Sequence, residues 1–182
     1  MEKEAYIEIF LKSHPNFFER EVKDISEDLV YEEMFLELKD FSGGRVTPPK
    51  GVEFGSYTGS LDEFREKVQT VDKGWPEFFD DSSEIFCAFL NGEPVSFCLI
   101  EDMGTLNHDG KIIRIGGPGC VGTLPGYRNR GIGLSMVDRV TAILKERGYD
   151  YSYIHYTGVA SWYAKLGYKT EICWNKNGIL DV

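Results

Sequence analysis

Basic residues are in short supply. Lys and Arg number 20 against 30 Asp and Glu, leaving a formal net charge of -10 at pH 7. No cluster of Lys and Arg could neutralise a row of phosphates, which argues against a nucleic-acid surface. The acidic balance suits a cationic substrate and serves solubility equally well. Long apolar runs are missing too: none approaches the ~20 residues that span a bilayer, so no membrane anchor is expected. The opening MEKEAYIEIF is acidic and amphipathic rather than basic and then apolar, so it does not read as a secretory signal, and the cytoplasm is the expected compartment. Cys87, Cys98, Cys120 and Cys173 are widely spaced with no CxxC among them, and read as reduced thiols. His14, His108 and His155 are too dispersed for a metal-ligand pattern, so no metal is expected. Internal repeats and low-complexity tracts are absent.

What is present is an ordinary globular composition, 42% apolar and 14% aromatic over 182 residues, enough for one core. Residues 1–40 carry helical spacing, with Tyr6, Ile9 and Phe10 on one face and an interruption at His14-Pro15. Leu29, Met34 and Leu38 continue the spacing partly in register, although MFLELKDF also reads as a strand. SGGRVTPPKG, 42–51, has loop chemistry and divides an N-terminal helical extension, 1–45, packed on the domain, from a compact remainder, 46–182.

The remainder shows its elements plainly. Val52 to Tyr57 suits a strand, and Ser60-Leu61-Asp62-Glu63 is a capping box opening a helix with Leu61, Phe64, Val68 and Val71 as its buried stripe. EIFCAFL and PVSFCLIED flank Asn91-Gly92, a hairpin signal, and NHDG returns the chain into KIIRI. Met136, Val137, Val140, Ile143 and Leu144 recur at helical spacing before Gly148, where a helix C-terminal glycine is expected. YDYSYIHY then supplies a strand parallel to KIIRI through a βαβ crossover, followed by a short helix in SWYAKLG and a last strand, YKTEICW.

Between KIIRI and the long helix stands RNRGIG, 128–133. Glycines there allow close backbone approach, and a helix start aims unpaired amides at an anion. A dinucleotide fingerprint would need glycine where Met136 stands, and a nucleoside-triphosphate loop would need Gly-Lys-Ser/Thr at its end. Neither fits. Arg128, Gly131 and Gly133, as Arg-x-x-Gly-x-Gly, together with the upstream hairpins and WYAKLGYKT, 162–170, resemble the GNAT N-acetyltransferase superfamily. The likeness covers roughly 50–174, with Tyr168 standing for the phenylalanine of the family's Tyr-x-Lys-x-Gly-Phe segment.

The resemblance implies an α/β fold of the α+β kind: a mixed, mostly antiparallel central sheet with one parallel crossover and flanking helices. It implies acetyl-CoA as cosubstrate, its pyrophosphate on the amides of Arg128, Asn129, Arg130, Gly131, Ile132, Gly133 and Leu134, and its pantetheine arm along Val121, Gly122 and Thr123. IGGPGCVG, 115–122, is too rich in glycine for a regular strand and predicts a bulge or close approach by another molecule; the resemblance implies that the acetyl carbonyl lies against it, where an amide of Gly119 to Val121 would meet the developing oxyanion.

The chemistry implied is N-acetylation of a primary amine, on a small molecule or peptide, by direct attack. An alkylamine of pKa about 10.4 is neutral only about once in 10³ at pH 7, so a base is worth seeking. Tyr163 aligns with the family's general acid. His155 is the natural base, with Glu101 and Asp102 as alternatives. An acyl-cysteine at Cys120 has no partner histidine at a recognisable spacing. Tyr156 stands where the family often has asparagine, which implies a remodelled acceptor pocket among Tyr153, Tyr156 and Trp162. A non-catalytic acyl-CoA-binding or sensing module, and an acyltransferase for a longer chain, are the rival readings, and a homodimer stays open.

Overall fold

The computed structural model describes residues 1–20, 22 and 25–181. In chain order, α1 (Lys3–Ser13) and α2 (Phe17–Arg20) precede β1 (Tyr31–Glu37), β2 (Val52–Ser56), α3 (Leu61–Gln69), β3 (Ile85–Leu90), β4 (Glu93–His108) and β5 (Lys111–Thr123). Then come α4 (Ile132–Glu146), β6 (Tyr151–Thr157), α5 (Ala160–Tyr163), β7 (Lys169–Asn175) and β8 (Gly178–Leu180). The strands form one sheet in the order β2-β3-β4-β5-β6-β1-β7-β8, antiparallel throughout except for β5 with β6. This is the mixed, mostly antiparallel architecture with one parallel crossover that the sequence predicts.

Local chemistry sets the turns. The Ser60 hydroxyl accepts the Glu63 amide at 3.4 Å and opens α3. Asn91 and Gly92 turn the β3–β4 hairpin with φ of 54° and 82°, the left-handed pair such turns require. At the end of α4 the Gly148 amide reaches the Lys145 carbonyl (2.9 Å) and the Tyr149 amide the Leu144 carbonyl (3.1 Å), with Gly148 at φ 78°. That is a Schellman cap.

One open reading is settled and one expectation changes. The helical spacing through Leu29, Met34 and Leu38 gives way to strand β1, which is hydrogen-bonded on both edges, to β6 and to β7. Leu29 is left exposed, while Met34 and Phe35 are buried on opposite faces. A strand slot covered on both sides outweighs a weak helical pattern, because pairing and burial act on the whole segment. The strand YKTEICW is also not the last: β8 pairs with β7 beyond it.

The sheet is covered on both faces. Tyr6, Ile9, Phe10 and Phe17 from α1 and α2 pack on Phe35, Tyr153 and Trp174, and α3 covers the β4 end of the same face with Phe64 and Val68 against Phe97 and Leu99. On the other face, Met136, Val140 and Leu144 of α4 meet Phe86, Val95 and Ile100, while Leu134, Val137 and Tyr163 meet Met34 and Ile154. Full burial of one such side chain contributes about 1.5–3 kcal/mol. No helix among the described residues is long and apolar enough to cross a membrane.

Candidate active site

The site begins where two strands stop pairing. β5 is paired with β4 as far as Thr123, opposite Ser96, but the parallel ladder to β6 holds only Ile115 and Gly116, opposite Tyr151 and Ser152. Beyond this fork one edge of β5 has no strand partner among the described residues, so its backbone groups stand ready to pair with an extended ligand. Gly117 sits at the fork because a Cβ there would collide with the Tyr153 carbonyl oxygen.

The bulge expected in IGGPGCVG is present. Phe97 faces Gly122 and Leu99 faces Gly119, so β5 carries one residue more than β4, and Cys120 takes a left-handed φ of 46°. The Glu101 carboxylate rests against Gly119, where a Cβ would strike Oε2. Burial raises the pKa of that carboxyl, with the charge of His155 acting in the opposite sense. Asp102 points elsewhere: it accepts the Gly104 amide at 2.8 Å and lies 3.9 Å from Arg114. The Cys120 thiol is pushed up to about 12, by burial first and Glu101 second, which leaves it protonated at neutral pH and a poor nucleophile.

At its C-terminal end β5 runs into the glycine loop. The Arg128 Nε donates to the Thr123 carbonyl at 3.0 Å, the Ser96 hydroxyl donates to the Gly122 carbonyl at 2.7 Å, and the Arg130 guanidinium lies 5.5 Å from the centre of the Tyr127 ring. Asn129 and Gly131 both have left-handed φ, 59° and 77°. α4 starts at Gly131 without a side-chain cap, so the amides of Ile132, Gly133 and Leu134 are available to an anion. Gly133 brings that helix start close to the strand, because a Cβ there would lie 2.7 Å from the Thr123 Oγ1. An unpaired strand edge leading into an uncapped, glycine-lined helix start with two arginines fits a ligand that joins an amide-bearing arm to a pyrophosphate.

Tyr163 and His155 flank the fork from opposite faces. Tyr163 belongs to the α4 and α5 side, packed with Leu134 and Val137. It is buried, its pKa is raised chiefly by that burial, and among the described residues its hydroxyl has no hydrogen-bond partner. His155 lies on the α1 and α2 side, 5.9 Å from the Phe10 ring and 5.2 Å from the Phe17 ring, centre to centre.

Around His155 the structure assembles residues that sequence reasoning missed. Glu33 of β1 is fully buried. Its Oε2 lies 2.9 Å from His155 Nδ1 and accepts the Tyr153 hydroxyl at 2.6 Å, while its Oε1 accepts the Trp174 indole at 2.6 Å and the Tyr156 amide at 3.1 Å. The Tyr156 amide turns toward Glu33 because β6 bulges there: Glu32 faces Thr157, Met34 faces Ile154, and Tyr156 has φ 56°. His14 stacks on His155 with ring centres 3.5 Å apart, and its pKa is pushed down to about 3 by burial and then by His155. The one local signal was the acidic pair Glu32-Glu33 inside an apolar run. Trp162, grouped with Tyr153 and Tyr156 by sequence, instead packs with Tyr163 on the opposite face.

Residues 53–168 match the family model described as acetyltransferase (GNAT) family, and the chain belongs to that family. Its members transfer acyl groups with acetyl-CoA as cosubstrate, which supports acyl transfer as the general reaction. A provisionally assigned acetyltransferase of Bacillus subtilis (strain 168) is 32% identical over 117 residues, 59% of this chain and 74% of that one. Among solved structures, the GCN5-related glucosamine N-acetyltransferase region of a fungal multi-domain β-N-acetylglucosaminidase superposes with a TM-score of 0.64 at 23% identity, over 79% of this chain and 20% of that one. A GCN5-related N-acetyltransferase from Kribbella flavida superposes with a TM-score of 0.56 at 16% identity, over 80% of this chain and 56% of that one. The chain thus matches a fifth of the first structure and little more than half of the second, and at these identities the likeness is one of fold.

Proposed function

We propose that this protein moves an acetyl group from acetyl-CoA to a primary amine by direct attack. The observation that carries the reading is the fork: β5 leaves β6 after Gly116 and continues, with one edge unpaired, into the uncapped start of α4. On this reading Val121, Gly122 and Thr123 pair with the pantetheine arm, and the amides of residues 128–134 hold the pyrophosphate with charge from Arg128 and Arg130. The bulge supports an oxyanion site within Gly119 to Val121, since Cys120 and Val121 fall outside the regular register with β4, between the paired Gly119 and Gly122.

Tyr163 is the proposed acid for the departing thiolate, because a phenol with a raised pKa keeps its proton at neutral pH. His155 is the proposed base, with Glu101 beside it at the bulge. Residues 1–45 then contribute to the acceptor side together with β6 and β7, while the cosubstrate is held within 46–182. Tyr31 and Tyr156, half-buried with ring centres 4.6 Å apart, favour an acceptor with an apolar or aromatic part.

Thermal unfolding with CoA, acetyl-CoA, NAD and ATP, each at about a hundred times its dissociation constant, tests the cosubstrate. Selective binding adds about 2.7 kcal/mol and raises the melting temperature. A rise with the CoA compounds alone is expected, followed by thiol release across a panel of amines. A larger rise with NAD or ATP, or none with CoA, overturns the reading. CoA binding without thiol release on any amine would make the chain a binding module.

A further inference from the structure

We propose that Glu33 is a positioning residue that fixes His155 in the tautomer protonated on Nδ1, leaving Nε2 as the acceptor of the amine proton. This rests on the reading of His155 as base, and adds that the N-terminal strand supplies half of the base.

The tautomer follows from counting donors. The Trp174 indole and the Tyr156 amide can only donate, and both point at Glu33 Oε1. On Oε2 the Tyr153 hydroxyl donates at 2.6 Å, and the pKa of that phenol is held well above its ordinary value by burial and then by Glu33, so it keeps its proton. A carboxylate surrounded in this way is an acceptor on both oxygens. The remaining neighbour, His155 Nδ1 at 2.9 Å, therefore carries hydrogen. The ring cannot turn away, because His14 lies flat against it at 3.5 Å with an interplanar angle of 12°, and Phe17 stands edge-on at 5.2 Å. Among the described residues, the titratable groups facing His155 are Glu33 from β1, His14 after α1, Tyr153 and Tyr156 on its own strand and Glu101 from β4.

The proton balance is simple. As the amine nitrogen bonds to the acetyl carbon, its proton passes to His155 Nε2, and the imidazolium stays paired through Nδ1–H with the buried Glu33 carboxylate. The carbon–sulfur bond breaks with its electron pair on sulfur, which takes the Tyr163 proton. Solvent then returns a proton to the phenol and removes one from the imidazolium.

The test is Glu33→Gln alongside the unaltered protein. The Gln amide can keep the Trp174 and Tyr156 donors on its oxygen while its NH2 donates to Nδ1, which moves the ring proton to Nε2. Nitrogen-15 NMR of labelled histidine, assigned with His155→Gln, should show Nδ1–H in the unaltered protein and Nε2–H in Glu33→Gln. With the best amine from the thiol-release panel, Glu33→Gln should lower kcat at least tenfold, leave the KM for acetyl-CoA unchanged, and alter the pH profile. An Nε2–H ring in the unaltered protein overturns the proposal, whether or not Glu33→Gln folds. So does a Glu33→Gln enzyme with unchanged kcat and pH profile. If the unaltered ring carries Nδ1–H but His155→Gln turns over normally, the assignment of His155 as base falls while the hold of Glu33 on the ring stands.

Discussion

On the α4 and α5 face of the sheet, two phenols lie near the fork: Tyr163, and Tyr168, whose hydroxyl is 2.7 Å from the Ser152 hydroxyl and 2.8 Å from that of Thr141. On the α1 and α2 face stand a fully buried carboxylate, two stacked imidazoles and the Glu101 carboxyl at the bulge. Burial acts on both faces but with different chemical results. It raises the phenols, so that they remain proton donors. On the other face it raises Glu101 and lowers His14, so the two titrate toward and away from neutrality respectively. On the proposed mechanism, the group that takes a proton from the amine and the group that gives one to the thiolate stand on opposite sides of one gap between strands.

Tyr163→Phe is the largest test of that division. Loss of the general acid should lower kcat by about 10²-fold or more, with the CoA-dependent rise in melting temperature retained; stopped-flow thiol release reads it. Unchanged turnover would take the acid off this face. Next comes the fork itself. Gly117→Ala would drive a Cβ into the Tyr153 carbonyl oxygen, and should cost about 1–3 kcal/mol. Urea unfolding measures this, with Gly126→Ala, which has nothing within 4 Å, as the unaffected comparison. Equal stability of the two variants would mean that the strands are not held together at Gly117.

A third test concerns His14. Its folded pKa, about 3, lies below the ordinary histidine value of about 6.5, so between those limits the unfolded chain binds more protons than the folded one. Stability therefore falls as pH drops through that window. His14→Phe should flatten this limb in urea unfolding between pH 7 and pH 4, and a slope equal to that of the unaltered protein would refute it. Glu101 works in the opposite sense, since a raised carboxyl pKa contributes stability that is lost as pH rises.

The glycine loop and the helix start were legible because their signals are local. Gly131 and Asn129 bend the loop, Gly148 ends α4, and Asn91-Gly92 turns the hairpin, each by backbone freedom that a residue carries with it. Even the bulge could be read from the density of glycine around Cys120. The cluster around Glu33 was not legible. Glu33 looks like one more surface acid, and the segment holding it fits a helix as well as a strand. Its partners Tyr153, His155 and Trp174 lie 120, 122 and 141 residues away, and nothing in a local window announces that they converge.

The amino-acid sequence by itself determined the turns, the caps, the crossover and the glycine-lined helix start, because short-range sterics and hydrogen bonding specify them within a few residues. Only the tertiary structure decided that β1 enters the sheet between β6 and β7, and with it that a buried carboxylate grips His155. The free energy of that arrangement comes from filling an interior strand slot and satisfying Glu33 with donors from three other positions on β6 and one on β7. Such terms exist only once distant segments have met.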